Sequence, residues 1–167
     1  MGTSDVWYGV VTSRGSRAEP RIRVTDHPFF RGMDPDWVEL ASRGSVETTY
    51  DPGELIVREG ELAQRFHLIF HGEVSVEIGR PWGTARSVQI IGSGEVLDWS
   101  GVVPPFLGQF DGRALKETRV VSLDSTVLRR LLEMHPADGN RFLERLIPVI
   151  GRRLEDARHR LVEGPDA

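Results

Sequence analysis

Cysteine is absent from the 167 residues, and with it go disulfides, thiolate nucleophiles, Cys-ligated zinc and Cys-ligated iron–sulfur clusters. A basic excess is lacking too. The 21 Lys and Arg stand against 25 Asp and Glu, a net charge of −4, whereas surfaces that bind phosphate backbones usually carry surplus cations. No apolar run approaches the roughly eighteen residues of a membrane-spanning helix. Residues 1–20 show neither the apolar core nor the small-residue cleavage site of a secretory signal, and Val6 stands where a myristoylation pattern wants Ser or Thr. A cytoplasmic location is the simplest expectation, with no membrane partner. Nucleophile elbow, P-loop and dinucleotide fingerprint are also missing, so no enzymatic activity is expected. What is present is globular: 39% apolar and 28% charged residues. A chain of this length can bury about 70% of its unfolded surface, enough for one core without staples.

Residues 1–24 read as an N-terminal extension. Trp7, Tyr8, Val10 and Val11 suit either a loose tail or a docking peptide, and the polar stretch from Ser13 to Pro20 follows them. The domain proper is placed at 25–163. A helix is predicted over 34–43, with Asp34 as N-cap, Pro35 at the first helical position and Gly44 as terminator. From Ser45 the period turns to alternation: Val46, Thr48 and Tyr50, then Leu55 to Val57, Phe66 to Phe70, Val74 to Ile78, Val88 to Ile91, and strands near 110–115 and 119–124. Asp51-Pro52-Gly53 is a turn, and Gly79 to Gly83 a hairpin loop. Short strands at 8–12-residue spacing point to an antiparallel sandwich, roll or barrel over about 45–124. The helical period returns at Val127, Leu128, Leu131 and Leu132. A longer helix runs over about 137–163, bent at Pro148 and Gly151.

These spaced motifs resemble the cyclic nucleotide-binding domain family, the β-roll of bacterial catabolite-activator-type regulators and of kinase regulatory subunits. The likeness rests on Asp51-Pro52-Gly53-Glu54-Leu55-Ile56-Val57-Arg58-Glu59-Gly60-Glu61, on Phe66 to Val74 with Gly72, and on Gly92-Ser93-Gly94-Glu95-Val96-Leu97. It implies an α+β fold: an antiparallel roll of about eight strands, one N-terminal helix and two C-terminal helices over about 125–163. Gly53, Gly60, Gly72 and Gly94 have a plain reading as tight turns requiring positive φ.

In the family, a cyclic phosphate is held by backbone N–H groups at a short helix and by an Arg, and a Gly-Glu pair holds the ribose. Here the Gly-Glu positions are Asp98-Trp99. Counting back from Arg113-Ala114, the Arg position falls on Gly108 and its hydroxyl-bearing neighbour on Gln109. An indole cannot accept a ribose hydroxyl as a carboxylate does, and glycine brings no cation. Arg113 either replaces that cation or pairs with Asp111 on the same strand face. The pattern Trp99-Ser100, Pro104-Pro105 and Phe110 to Ala114 is similar to a subset of stand-alone bacterial members, which implies a repurposed pocket. Asp98, Trp99, Ser100, Gln109 and Arg113 are the candidate ligand-binding residues. The implied function is a regulatory or sensor module with weak or lost cyclic AMP and cyclic GMP binding. The alternative is an interaction or scaffold subunit with no nucleotide ligand. No cofactor is implied with certainty, and a cyclic nucleotide is the one candidate.

His67 and His71 lie four apart on a predicted strand, a thin pair for a metal. Leu143, Ile147, Ile150, Leu154, Ala157 and Leu161 have heptad spacing, a seam expected to form a homodimer. Six arginines between Arg141 and Arg160 alternate with Glu144, Glu155 and Asp156 and read as a solvated face laced with i,i+4 pairs. Only Gly164-Pro165-Asp166-Ala167 follow the last helix, too little for a helix-turn-helix, so direct DNA binding is not expected.

Overall fold

The computed structural model describes residues 22–79 and 85–162. Trp7, Tyr8, Val10, Val11 and most of the 79–83 loop lie outside the described residues.

The chain enters through two single 3-10 turns, Val24–Asp26 and Pro28–Phe30, which the sequence pattern did not reveal. They are followed by α1, Pro35–Ala41, where the Asp34 carboxylate accepts from the Asp36 and Trp37 amides. Each bond satisfies an amide that has no partner within the helix. Eight strands succeed it: β1 Val46–Tyr50, β2 Leu55–Val57, β3 Arg65–His71, β4 Glu73–Ile78, β5 Arg86–Gly92, β6 Val96–Asp98, β7 Asp111–Ala114 and β8 Thr118–Asp124. Two helices close the domain, α2 Ser125–Met134 and α3 Pro136–Val162. Asp124 caps α2 through the Thr126 and Val127 amides.

All pairings are antiparallel, in two four-stranded sheets of order β1-β8-β3-β6 and β2-β7-β4-β5. The α+β roll with its N-terminal helix and two C-terminal helices is therefore observed. The addition to the expectation is β6, three buried residues too short to show a period. Two cores result. Val57, Ile69, Val74, Val76, Val88, Ile91, Leu97 and Phe110 fill the roll. Phe66, Leu68, Val121 and Leu123 turn the other way, against Phe29, Phe30, Trp37, Phe142 and Leu146 from the helical layer. Val24 is buried in this second core and Ile22 packs on it.

Gly53, Gly60, Gly72 and Gly94 all have φ between 80 and 104°. Gly72 shows why no side chain serves in the β3–β4 turn: a Cβ would fall 2.4 Å from Thr118 Oγ1 and 2.6 Å from its Cα. Thr118 cannot retreat, because it is buried and its hydroxyl lies 2.8 Å from the Lys116 carbonyl. Helix α3 runs unbroken through Pro148 and Gly151. Proline frees the carbonyl four residues earlier, and Glu144 and Pro148 are both exposed, so water can meet that carbonyl.

Candidate ligand site in the roll

The cassette begins where β6 ends. Asp98 is buried on β6, opposite His67 of β3 in register, and its Oδ1 accepts from the Ser100 amide at 2.8 Å. This bond turns the chain sharply into the loop. Trp99 is half-buried and packs against both cores, with its ring 6.3 Å from that of Phe110. Three polar atoms around the turn are buried without a hydrogen-bond partner: Trp99 Nε1, Ser100 Oγ and Ser125 Oγ. Buried polar groups are ordinarily paired, so this corner of the roll has unused bonding capacity. The 99–109 segment holds turns and no helix, so the short phosphate-binding helix implied by the resemblance is not formed here.

The structure brings Asp98, Trp99 and Ser100 together but sets Gln109 and Arg113 apart. Gln109 is exposed, its amide donating to the Leu107 carbonyl at 2.7 Å. On β7, Gly112 and Ala114 point inward and Asp111 and Arg113 outward. Arg113 pairs with Glu77 at 3.1 Å and donates to the Gly53 carbonyl at 2.9 Å. The expected pairing with Asp111 is thus corrected. Arg113 takes Glu77 because a cross-strand partner on β4 lies nearer than a same-strand neighbour, and Asp111 accepts from the Glu59 amide, just past β2, at 2.8 Å. Gly108, where the sequence count expects the family's Arg, is locked into backbone. It exchanges bonds with Gly60 and Glu61, both 2.8 Å, and a Cβ there would lie 2.3 Å from the Arg58 carbonyl oxygen. No side chain, let alone an arginine, fits at this point.

A different cation occupies the neighbourhood. Arg153 of α3 is only 6% exposed. Its Nη1 donates to the Leu97 carbonyl (2.6 Å), its Nη2 to Val96 (3.2 Å) and its Nε to Gln89 Oε1 (2.9 Å). The guanidinium also lies 4.7 Å from the centre of the Phe110 ring. β6 is the edge strand of its sheet, and the inserted arginine donates to two of its carbonyls. Burial lowers the Arg153 pKa to about 10, and the charges of Asp98, Glu95 and Asp156 oppose that shift. The reading of all six arginines as a solvated face therefore fails at Arg153 and at half-buried Arg145, which donates to the Phe29 and Arg31 carbonyls. The available signal was position: Phe142, Leu146, Val149 and Arg153 step by four, three and four along the helix face that meets the roll.

His67 is buried against Ser122 Oγ at 2.8 Å, while His71 is exposed at the strand's end, so the two do not converge. Among the described residues no group of three or more His, Asp or Glu is placed to hold a metal. One position round the helix from the buried stripe, Leu143, Ile147 and Leu154 are 39%, 65% and 70% exposed. Ile150 and Ala157 are half-buried, and Ile150 packs on the core. The side chain of Leu161 lies outside the described residues.

Two four-stranded antiparallel sheets followed by two C-terminal helices define a β-roll class of domain. The family model for the cyclic nucleotide-binding domain matches residues 47–135, and the chain belongs to that family. It is 24% identical over 135 residues to the CRP-like cAMP-activated global transcriptional regulator of Mycobacterium tuberculosis, covering 81% of this chain and 58% of that protein. The chain thus spans a little over half the length of that curated relative. Among solved structures, it resembles a cyclic nucleotide-binding domain from Methylobacillus flagellatus with a TM-score of 0.67 at 20% identity, covering 80% and 75% of the two chains. It also resembles the c-di-GMP-responsive global regulator CLP of Xanthomonas campestris, with a TM-score of 0.65 at 18% identity, covering 77% and 63%. No helix among the described residues is long and apolar enough to cross a membrane.

Proposed function

We propose that this chain is a non-enzymatic regulatory module whose roll binds cyclic AMP and cyclic GMP weakly or not at all, and whose α3 reports on the roll to a partner. Gly108 carries this reading: the phosphate cation's position is closed by the Arg58 carbonyl. Trp99 fills the ribose carboxylate's position, and Arg113, the cation the sequence offered as a replacement, is spent on Glu77. Each missing charged hydrogen bond costs about 1.5–3 kcal/mol, so two weaken binding by roughly 10²- to 10⁴-fold. Titration calorimetry with each nucleotide tests this, and a low-micromolar Kd for either overturns it.

The unpartnered Trp99 Nε1 and Ser100 Oγ support a sensor with a changed ligand over a pure scaffold, since two buried donors beside the roll suit an acceptor-bearing small molecule. The exposed Leu143, Ile147 and Leu154 support a homodimer through α3. The relatives' ligands differ, cAMP for one and c-di-GMP for another, which fits a fold that tolerates ligand exchange.

A further inference from the structure

We propose a second ligand site, outside the roll interior, for a compact dianion in the cavity between α3, β5 and the turn before β6. The cavity holds about 240 Å³ and is lined by Gln89, Glu95, Arg145, Arg152 and Arg153, with Pro28 and Phe29 among its apolar wall. Three arginines line one space, and among the described residues none of them is ion-paired with a carboxylate. Arg145 is held by backbone carbonyls and Arg153 by carbonyls and an amide, while Arg152 is exposed and has no hydrogen-bond partner. Glu95 is the one carboxylate of the lining, and its Oε2 accepts from the Gly92 amide at 2.7 Å.

Among the lining residues three positive charges stand against one negative. Like charges gathered around one cavity repel one another, and a buried cation normally has a counter-charge. Arg153, nine-tenths buried, feels the charges of Asp98, Glu95 and Asp156, yet none of them lies within ion-pair distance of it. A ligand with two negative charges on a small body supplies the three arginines with a shared counter-ion. The volume falls below the roughly 300–1,000 Å³ of pockets for drug-sized molecules, and suits a phosphate monoester headgroup or a short dicarboxylate. Guanidinium forks match both through paired N–H···O bonds. Because α3 supplies all three arginines and β5 and β6 the opposite wall, a bound dianion ties the helix to the roll whatever the roll interior binds.

The test is calorimetric titration of the full chain with inorganic phosphate, pyrophosphate and malonate, with ionic strength held constant by potassium chloride. Saturable binding of at least one is expected, and whether phosphates or malonate bind tighter tells the two sources apart. Arg152→Gln, at an exposed position, and Arg145→Gln are each expected to weaken binding about tenfold or more, while Arg130→Gln, which removes an exposed charge on α2 away from the cavity, leaves it unchanged. No saturable binding by any of the three anions at tens of millimolar overturns the proposal, as does binding that both arginine variants leave intact. Cyclic nucleotides bind elsewhere if they bind at all, so their titration succeeds or fails independently.

Discussion

The buried histidines make this domain acid-labile in a calculable way. His27 sits between the 3-10 turns, with its ring against Phe70. Its Nε2 is 3.1 Å from the Ile69 carbonyl and its Nδ1 accepts from the Phe29 amide at 3.3 Å. A carbonyl only accepts, so Nε2 must carry the proton and Nδ1 the lone pair. The neutral ring is fully paired, and protonation would set a second N–H against an amide N–H. Burial lowers the His27 pKa to about 4, opposed by the bond to Ile69. His67 also falls to about 4 by burial, although the Asp98 charge opposes the shift. Both start from an ordinary value of 6.5. The unfolded chain therefore binds more protons than the native one between about pH 6.5 and pH 4, and stability falls as the pH drops through that window. At pH 5 each histidine costs about 2 kcal/mol relative to pH 7, and together they cost about 4 kcal/mol of a total that is typically 5–15 kcal/mol. Urea denaturation at pH 7, 6 and 5 measures this. His27→Gln retains a donor and an acceptor without a titrating proton, and should remove about half of the pH-dependent loss even if its stability at pH 7 is lower. A midpoint unchanged between pH 7 and pH 5, or a slope undiminished in His27→Gln, would refute the reasoning.

Two further predictions concern the cassette and the outer helix face. Trp99→Ala should destabilise the domain by about 3 kcal/mol or more, as truncation of a large side chain between two cores does; an unaffected denaturation midpoint would show that the indole serves a ligand instead. Leu154→Glu puts a charge at the centre of the exposed stripe and should convert dimer to monomer in analytical ultracentrifugation with the denaturation midpoint little changed. A wild-type chain sedimenting as a monomer at tens of micromolar would reassign the stripe to another protein partner.

The roll was legible wherever local chemistry dictates local structure. Asp34 before Pro35 announced α1, the glycines at positive φ announced their turns, and alternation together with short apolar runs located seven of the eight strands. β6 was hidden because Val96, Leu97 and Asp98 are all buried, which erases alternation. The site was harder to read because its parts come from distant places. The spacing to Arg113-Ala114 put Gly108 at the family's Arg position, yet only three dimensions show the Arg58 carbonyl closing it. Arg113 was a candidate as the one cation between Asp98 and Ala114, and its outward side of β7 follows from strand register. Arg153 lies 56 residues from Leu97, and its charge hid it among five neighbours that resemble it in sequence.

The contacts of Arg153 also index α3 along its axis. A helix sliding by one turn would bring Val149 or Ala157 to the slot over Leu97, and neither side chain can donate to a carbonyl. Two edge carbonyls and Gln89 would lose their donors together, at about 1–3 kcal/mol for each group left unpaired in the interior. Axial creep of the helix is therefore blocked by steps. Swivelling about the arginine, or lifting it out whole, remains as the freedom through which this helix can move.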